Sequence, residues 1–156
     1  MSKVITEAAQ ALVSVEQAPM TIEIEKGALR KYAMAIAWPE KPDARYVDGS
    51  GGVIAPPTFC TSFHWLAPLL EKINPSMPAY RVALNGGNEY EFYEPIRAGD
   101  ALTARPKLAS LSEKPRDDGG VMLIIDLEAE FTNQTGARVL TARQRLLRIY
   151  GPENLT

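Results

Sequence analysis

The stretch that decides the fold is VMLIIDLEAEF, residues 121–131. Apolar side chains occupy every second position of this segment, whereas Asp126, Glu128 and Glu130 point to the opposite side. A period of two is typical of a β-strand that has one buried face and one face at least partly in contact with water. The segment therefore predicts a sheet that packs through one face.

Two more strands are predicted next to this one along the chain. Residues 101–111 precede it and residues 138–149 follow it. The connections DDGG, 117–120, and NQTG, 133–136, are typical of hairpins. The three strands are therefore predicted to be antiparallel neighbours.

Residues 81–95 predict a further long strand, which is interrupted by Gly86 and Gly87. Glycines inside a strand indicate either a β-bulge or the close approach of a ligand to the backbone. Both alternatives remain open from the sequence.

The N-terminal part predicts a short strand and a helix. Residues 21–25 alternate as a half-buried strand does, and KGALRKYAMAIAW, 26–38, has the spacing of an amphipathic helix that ends near Pro39. Residues 39–52 read as a surface loop. For residues 1–18 we expect either a flexible arm or a short peripheral helix.

The segment GVIAPPTFCTSFHWL, 52–66, contains the only cysteine and the only histidine of the chain. Its apolar stripe, continued to Leu70, predicts a buried central helix, which Pro68 would break or kink. We expect Cys60 to be a small buried side chain rather than a nucleophile. His64 is expected to pack or to line a pocket, with an acid/base role as the alternative.

Composition limits the classes of function. The 156 residues fit one domain, 1–156, and 46% hydrophobic with 23% charged residues is the balance of a soluble globular protein. No apolar run is long enough for a membrane span, and 17 basic against 19 acidic residues argue against nucleic-acid binding. One cysteine and the lack of a secretory signal favour the cytoplasm. One histidine without a second ligand argues against a metal site.

Four segments, taken together, resemble the N-terminal, degenerate domain type of MaoC-like dehydratases, within the (R)-specific enoyl hydratase superfamily. They are KGALRKYAMAIAWPEKP (26–42), GGVIAPPTF (51–59), ALNGGNEYEFYEPIRAGDALTA (83–104) and FTNQTGARVLTARQRLLR (131–148). The resemblance covers about residues 15–149. It implies an α+β hot-dog fold, in which an antiparallel sheet is wrapped around a central helix.

The resemblance also implies a hydratase or dehydratase of fatty acid metabolism, acting on thioesters of coenzyme A or acyl carrier protein without a metal or redox cofactor. Catalytic members use an aspartate and a histidine, five residues apart in one loop, to activate water and move a proton. The corresponding loop here is 37–48, where Trp38 stands in place of the aspartate and Asp43 in place of the histidine. The standard catalytic dyad is therefore absent, and His64, Asp43 and Glu40 are only substitute candidates.

Residues expected to contact the acyl thioester come from two segments. They are Pro57, Thr58, Phe63, His64, Asn85, Gly86 and Gly87. For the arginines of the last strand, Arg138, Arg143, Arg145 and Arg148, we expect surface positions, with contact to coenzyme A phosphates or to an acidic partner as the alternative.

Three hypotheses follow. The first is a non-catalytic or assisting subunit that shapes the acyl pocket, in a heteromer with a second MaoC-like hot-dog subunit that carries the dyad. The second is a self-sufficient homodimeric hydratase or thioesterase that uses His64 with Glu40 or Asp43. The third is an acyl-CoA-binding protein without turnover.

Overall fold

A computed structural model describes residues 4–155. It contains one five-stranded antiparallel sheet in the order β1-β3-β4-β5-β2. The strands are β1 (Met20–Glu23), β2 (Val82–Phe92), β3 (Ala101–Pro115), β4 (Val121–Thr132) and β5 (Arg138–Tyr150). All five predicted strands are confirmed, as are the two hairpins that join β3 to β4 and β4 to β5.

The alternation in β4 divides the two faces of the sheet as predicted. The apolar positions of the strand, from Val121 to Phe131, are all buried, while Asp126 and Glu128 are half-buried and Glu130 is exposed. We call the buried side the inner face of the sheet and the other side the outer face.

The glycine pair in β2 forms a β-bulge. The pairing of β2 with β5 shifts register between Asn85 and Gly87. Gly87 has a φ of +135°, a backbone conformation that residues with a side chain rarely adopt. A Cβ atom on Gly86 would lie 2.8 Å from Cγ of Arg145. The bulge that the sequence left as one of two alternatives is therefore present, and close packing explains Gly86 without a ligand.

In the part of the chain that the structure describes, three α-helices lie outside the sheet, namely α1 (Glu7–Gln10), α2 (Lys26–Ala37) and α3 (Ala67–Ile73). Helix α2 is the predicted amphipathic helix; it buries Leu29 and Ala33 and ends just before Trp38. Within residues 4–155, no helix is long and apolar enough to cross a membrane.

The predicted central helix over the segment around His64 is interrupted, and the break that Pro68 indicated comes before that residue. Residues Pro57–Ser62 form a 3₁₀ helix, Phe63 is extended, and α3 begins only at Ala67. Pro68 explains the interruption, because in a continuous helix its ring would clash with the carbonyl of His64 and its missing N–H would leave that carbonyl without a donor. In the observed fold Pro68 lies in the first turn of α3, where no N–H is needed.

The interrupted segment still supplies the centre of the core. Phe63 and Trp65 are buried, and their ring centroids lie 5.6 and 6.5 Å from that of Phe131 on β4. Leu69 and Ile73 of α3 are fully buried in the same cluster. The inner face of the sheet therefore packs on two short helical segments in place of one long helix.

The N-terminal segment packs along the part of the β3 edge that does not pair with β1. Residues 1–3 lie outside the described residues, but the part that follows forms α1 and buries Val4 and Ala9. The backbone N–H of Ser14 donates to the carbonyl of Leu108 at 2.7 Å, and that of Gln17 to the carbonyl of Pro106 at 2.9 Å. Of the two alternatives for residues 1–18, the described part forms the short helix. That residues 1–156 form a single domain stays a prediction.

Candidate functional site

The loop 37–48, in which the resemblance would place the catalytic dyad, contains an aspartate–arginine contact. Asp43 precedes a 3₁₀ helix, Ala44–Tyr46, and its carboxylate accepts hydrogen bonds from the backbone N–H and the guanidinium of Arg45, both at 2.9 Å. Trp38, in the position of the missing aspartate, is 83% exposed.

The contact with Arg45 makes Asp43 a poor general base. Its side-chain hydrogen bond with Arg45 is the main cause that lowers the pKa of Asp43 below its ordinary value. A base that removes a proton near neutral pH works best with a pKa near that pH. The lowered pKa therefore makes Asp43 less suited to the role of the missing histidine.

A cavity of about 370 Å³ lies between this loop and the end of β2, and we call it the loop cavity. Its wall is mostly apolar or aromatic, with one arginine and one glutamate. It is formed by Arg45, Tyr46, Ile54, Ala55, Pro57, Phe92, Tyr93, Glu94, Pro95 and Ile96. Of the residues predicted to bind substrate, Pro57 lines this cavity.

The 3₁₀ helix Pro57–Ser62 is tied to α2. The hydroxyl of Tyr32 donates to the carbonyl of Thr58 at 2.9 Å, and the rings of Tyr32 and Phe59 meet edge to face at 5.4 Å. Thr58 is otherwise exposed. These contacts hold the 3₁₀ helix that contributes Pro57 to the loop cavity.

Cys60, in the same 3₁₀ helix, is buried, as expected. Its thiol lies 3.1 Å from the carbonyl oxygen of Pro57, and burial raises its pKa to about 11. A raised pKa keeps the thiol protonated near neutral pH, which argues against the nucleophilic role. Burial also raises the pKa of Tyr90 on β2, with smaller contributions from the nearby Cys60 and Tyr32.

His64 is exposed, so of its two expected positions the packed one is not observed in the single chain, and contact with a substrate pocket stays a prediction. The extended backbone at Phe63 explains this, because Phe63 and Trp65 turn inward and leave His64 on the opposite side. Among the described contacts, Asp43 bonds to Arg45 and not to His64. Glu40 is exposed, and no described contact joins it to His64.

The remaining predicted substrate residues lie in separate places. Phe63 is in the core, and Asn85 lines a second cavity of about 270 Å³ at the start of β2. Gly86 and Gly87 line a cavity of about 460 Å³ on the outer face. Within residues 4–155, none of the cavities described here gathers all seven predicted residues.

Sequence reasoning missed the burial of Arg148. Arg143 pairs with Glu89 and Glu128, and Arg145 pairs with Asp126, on the outer face. Arg148 instead points inward, in step with the buried positions of β5, and is only 4% exposed. The alternation of the strand is the signal that could have separated it from its neighbours.

Comparison with known proteins agrees with this fold. Residues 11–142 match the family described as "FAS1-like, dehydratase domain region". The chain is also 27% identical over 130 residues to a UPF0336 protein of Streptomyces avermitilis, a match that covers 80% of this chain and 83% of that protein. A UPF0336 protein of Streptomyces griseus is 28% identical over 131 residues, with the same coverage.

Solved structures share the architecture at lower identity. A structure described as a MaoC-like dehydratase superposes with a TM-score of 0.70 at 24% identity; the match covers 92% of this chain but only 44% of that one. The ChsH1-ChsH2 complex of Mycobacterium tuberculosis gives a TM-score of 0.74 at 15% identity and covers 96% of this chain and 98% of the matched chain.

A third structure, the truncated HadBC (3R-hydroxyacyl-ACP dehydratase) complex of Mycobacterium tuberculosis, gives a TM-score of 0.64 at 21% identity and covers 87% of this chain and 96% of the matched chain. These likenesses confirm the predicted α+β hot-dog fold. With the family match over most of its length, the chain belongs to the family described as "FAS1-like, dehydratase domain region" and has a hot-dog fold.

Proposed function

We propose that this chain is the non-catalytic or assisting half of an enoyl-thioester hydratase or 3-hydroxyacyl-thioester dehydratase. The observation that carries the proposal is the loop 37–48. Trp38 is exposed where the aspartate would be, and Asp43 is bonded to Arg45 where the histidine would be. The acid/base chemistry would therefore come from a second hot-dog subunit with an intact dyad.

The free edge of β2 supports pairing with such a subunit. Val82, Leu84 and Phe92 are 40, 49 and 43% exposed along this edge, and a long exposed strand with apolar side chains is suited to pairing with another strand. The HadBC and ChsH1-ChsH2 structures are both complexes of two proteins. A homodimer through the same edge is the state expected when no partner is present.

The loop cavity is the part of the acyl pocket that this chain would supply. Its wall of Ile54, Ala55, Pro57 and Ile96 suits the apolar chain of an acyl group. The partner would place its dyad at the thioester end of the substrate. General acid/base chemistry on an enoyl thioester needs no redox cofactor or metal, so we propose that the acyl thioester is the only small molecule required. We also propose a cytoplasmic location.

Co-expression tests this function. The partner to be tested is a short hot-dog protein with an Asp-x-x-x-x-His loop, encoded in a neighbouring reading frame. Hydration of a 2-enoyl-CoA is measured for each protein alone and for the pair. We expect near-background hydration from this chain alone and at least ~100-fold more from the pair, because acid/base residues contribute about 10²–10⁴-fold.

Matched controls separate the hypotheses. In the pair, replacing the partner's dyad should abolish hydration, whereas Asp43→Asn in this chain should leave kcat nearly unchanged. Fast hydration or thioester hydrolysis by this chain alone would favour the self-sufficient homodimer. Tight binding of acyl-CoA without turnover, with or without the partner, would favour the binding protein.

A further inference from the structure

Arg148 on β5 carries a buried positive charge that no described carboxylate balances. Its side chain is 4% exposed. The described ion pairs include its strand neighbours Arg143 and Arg145, and none includes Arg148. A buried charge is costly to fold unless an opposite charge or strong hydrogen bonds compensate it.

The contacts that hold Arg148 orient it without neutralising it. The guanidinium donates to the amide oxygen of Asn74 and to the sulfur of Met77 at 3.6 Å. Its carbon atom lies 4.6 Å from the centre of the Tyr80 ring. The hydroxyl of Tyr150 also accepts a hydrogen bond from Arg148. All four partners are uncharged, so the positive charge remains available to an anion.

Arg148 lines the cavity of about 270 Å³ at the start of β2, which we call the edge cavity. Among the lining residues, all of which the structure describes, Arg148 is the only charged one. The others are Leu70, Asn74, Tyr80, Ala83, Leu84, Asn85, Leu146 and Leu147. The cavity therefore combines apolar walls with one cation.

We propose that the edge cavity binds a carboxylate that is carried on a short apolar chain, with the carboxylate at Arg148 and the chain against the leucines. The planar guanidinium matches a carboxylate in geometry, and one cation balances one negative charge. A volume near the lower end for ligand cavities limits the occupant to a small molecule. The site is distinct from the loop cavity. Ala83, Leu84 and Asn85 of its wall lie on β2, the edge proposed for pairing, so we expect the site to be open in the monomer.

Calorimetric titration with octanoate tests the site in the purified full chain, at a protein concentration at which sedimentation velocity shows a monomer. 1-Octanol keeps the apolar chain without the charge, and acetate keeps the charge without the chain. We expect octanoate to bind about 10- to 100-fold more tightly than either, because hydrogen bonds between charged groups contribute about 1.5–3 kcal/mol.

Two variants test whether the carboxylate of octanoate binds at Arg148. Arg148→Gln removes the charge and keeps an N–H donor for Asn74, and Arg105→Gln, on the exposed outer face of β3, is the matched control. Asn85→Asp adds a negative charge to the cavity wall and keeps an oxygen to accept from the N–H of Gly87, at 2.9 Å in the native chain. At pH 7.5 we expect octanoate to bind about 10- to 100-fold more weakly to both cavity variants and unchanged to the control.

Circular dichroism shows whether Arg148→Gln folds. If it does not, the binding of octanoate to Asn85→Asp tests the proposal. The proposal is overturned if octanoate does not bind the native chain or if 1-octanol binds as tightly. It is equally overturned if Asn85→Asp binds octanoate like the native chain. These results concern binding alone, so they are independent of any hydratase activity.

Discussion

The two outer edges of the sheet differ in how they are covered. On one side, β1 pairs with the first residues of β3, and the backbone of Ser14 and Gln17 covers the next part of the β3 edge. On the other side β2 runs for eleven residues and, among the described strands, pairs only with β5. A covered edge avoids unwanted pairing, whereas a long free edge is suited to a partner.

The leucines of the two edges show the same difference. Leu108 on the covered edge is 0% exposed, and Leu84 on the free edge is 49% exposed. The covered edge is thus part of the core of this chain, whereas the free edge has apolar side chains that this chain does not bury. The comparison teaches that one edge contributes to the core of this chain, whereas the opposite edge has exposed apolar side chains suited to a partner.

The largest expected effect is on assembly. Val82→Lys combined with Leu84→Lys should weaken association through β2 by roughly 100-fold or more, because burying an unpaired charge costs about 3–5 kcal/mol. Both native side chains are exposed in the single chain, so its fold should survive. Sedimentation velocity measures the association, and Val15→Lys, at another exposed valine, is the control. Unchanged association would show that β2 is not the interface.

The same truncation at the two edges should have opposite consequences for stability. Leu108→Ala should lower the free energy of unfolding by about 2–5 kcal/mol, since it leaves a cavity in the core. Leu84→Ala should change it by less than about 0.5 kcal/mol when the chain is monomeric. Urea unfolding measures both variants. Equal losses would contradict the division between a structural and an associating edge.

The bulge in the free edge should tolerate no side chain at Gly86. Gly86→Ala places a Cβ 2.8 Å from Cγ and 3.2 Å from the carbonyl oxygen of Arg145, so it should destabilise the chain by about 1–3 kcal/mol. Gly27→Ala is the control, because no heavy atom lies within 4 Å of a Cβ there and alanine favours the helix. Thermal unfolding should move to lower temperature for Gly86→Ala only.

A smaller, pH-dependent effect is expected on the outer face beside the bulge. The hydrogen bond from Arg145, followed by that from Ser110, lowers the pKa of Asp126. A carboxyl group whose pKa is lowered by folding stabilises the native state above its unfolded pKa of about 3.9, and this stability is lost as the pH falls through the lowered value.

Asp126→Asn should therefore be less stable than the native chain at pH 7, by no more than about 1 kcal/mol for a partly exposed pair. The difference should shrink as the pH falls below about 4. Urea unfolding at several pH values measures it. A difference in stability that does not change with pH would show that packing, and not the charge of Asp126, determines the position of Arg145.

The strands could be predicted because alternation reports burial directly, as in β4. The break in the central segment could be predicted from Pro68, but its position could not, because the apolar stripe fits a helix whereas α3 begins only at Ala67. The exposure of His64 depends on the extended backbone of Phe63 within this break, which has no local sequence signal.

The candidate site was predictable only in part. The absence of the dyad could be read from Trp38 and Asp43, but the bond between Asp43 and Arg45 and the shape of the loop cavity required the fold. The edge cavity depends on Arg148 and Asn74, which are far apart in sequence. Contacts of this kind are set by tertiary packing and have no local sequence signal.

The central claim is that the acid/base chemistry belongs to the partner and not to this chain. Its most direct test is kcat of the assembled enzyme for a 2-enoyl-CoA with His64→Ala and with His64→Gln in this chain. We predict that kcat stays within about 10-fold of the native value and that KM changes more than kcat, because His64 is exposed and no described contact joins it to Asp43 or Glu40. A fall in kcat of ~100-fold or more for both variants, with fold and assembly intact, would contradict the claim and make His64 a catalytic residue.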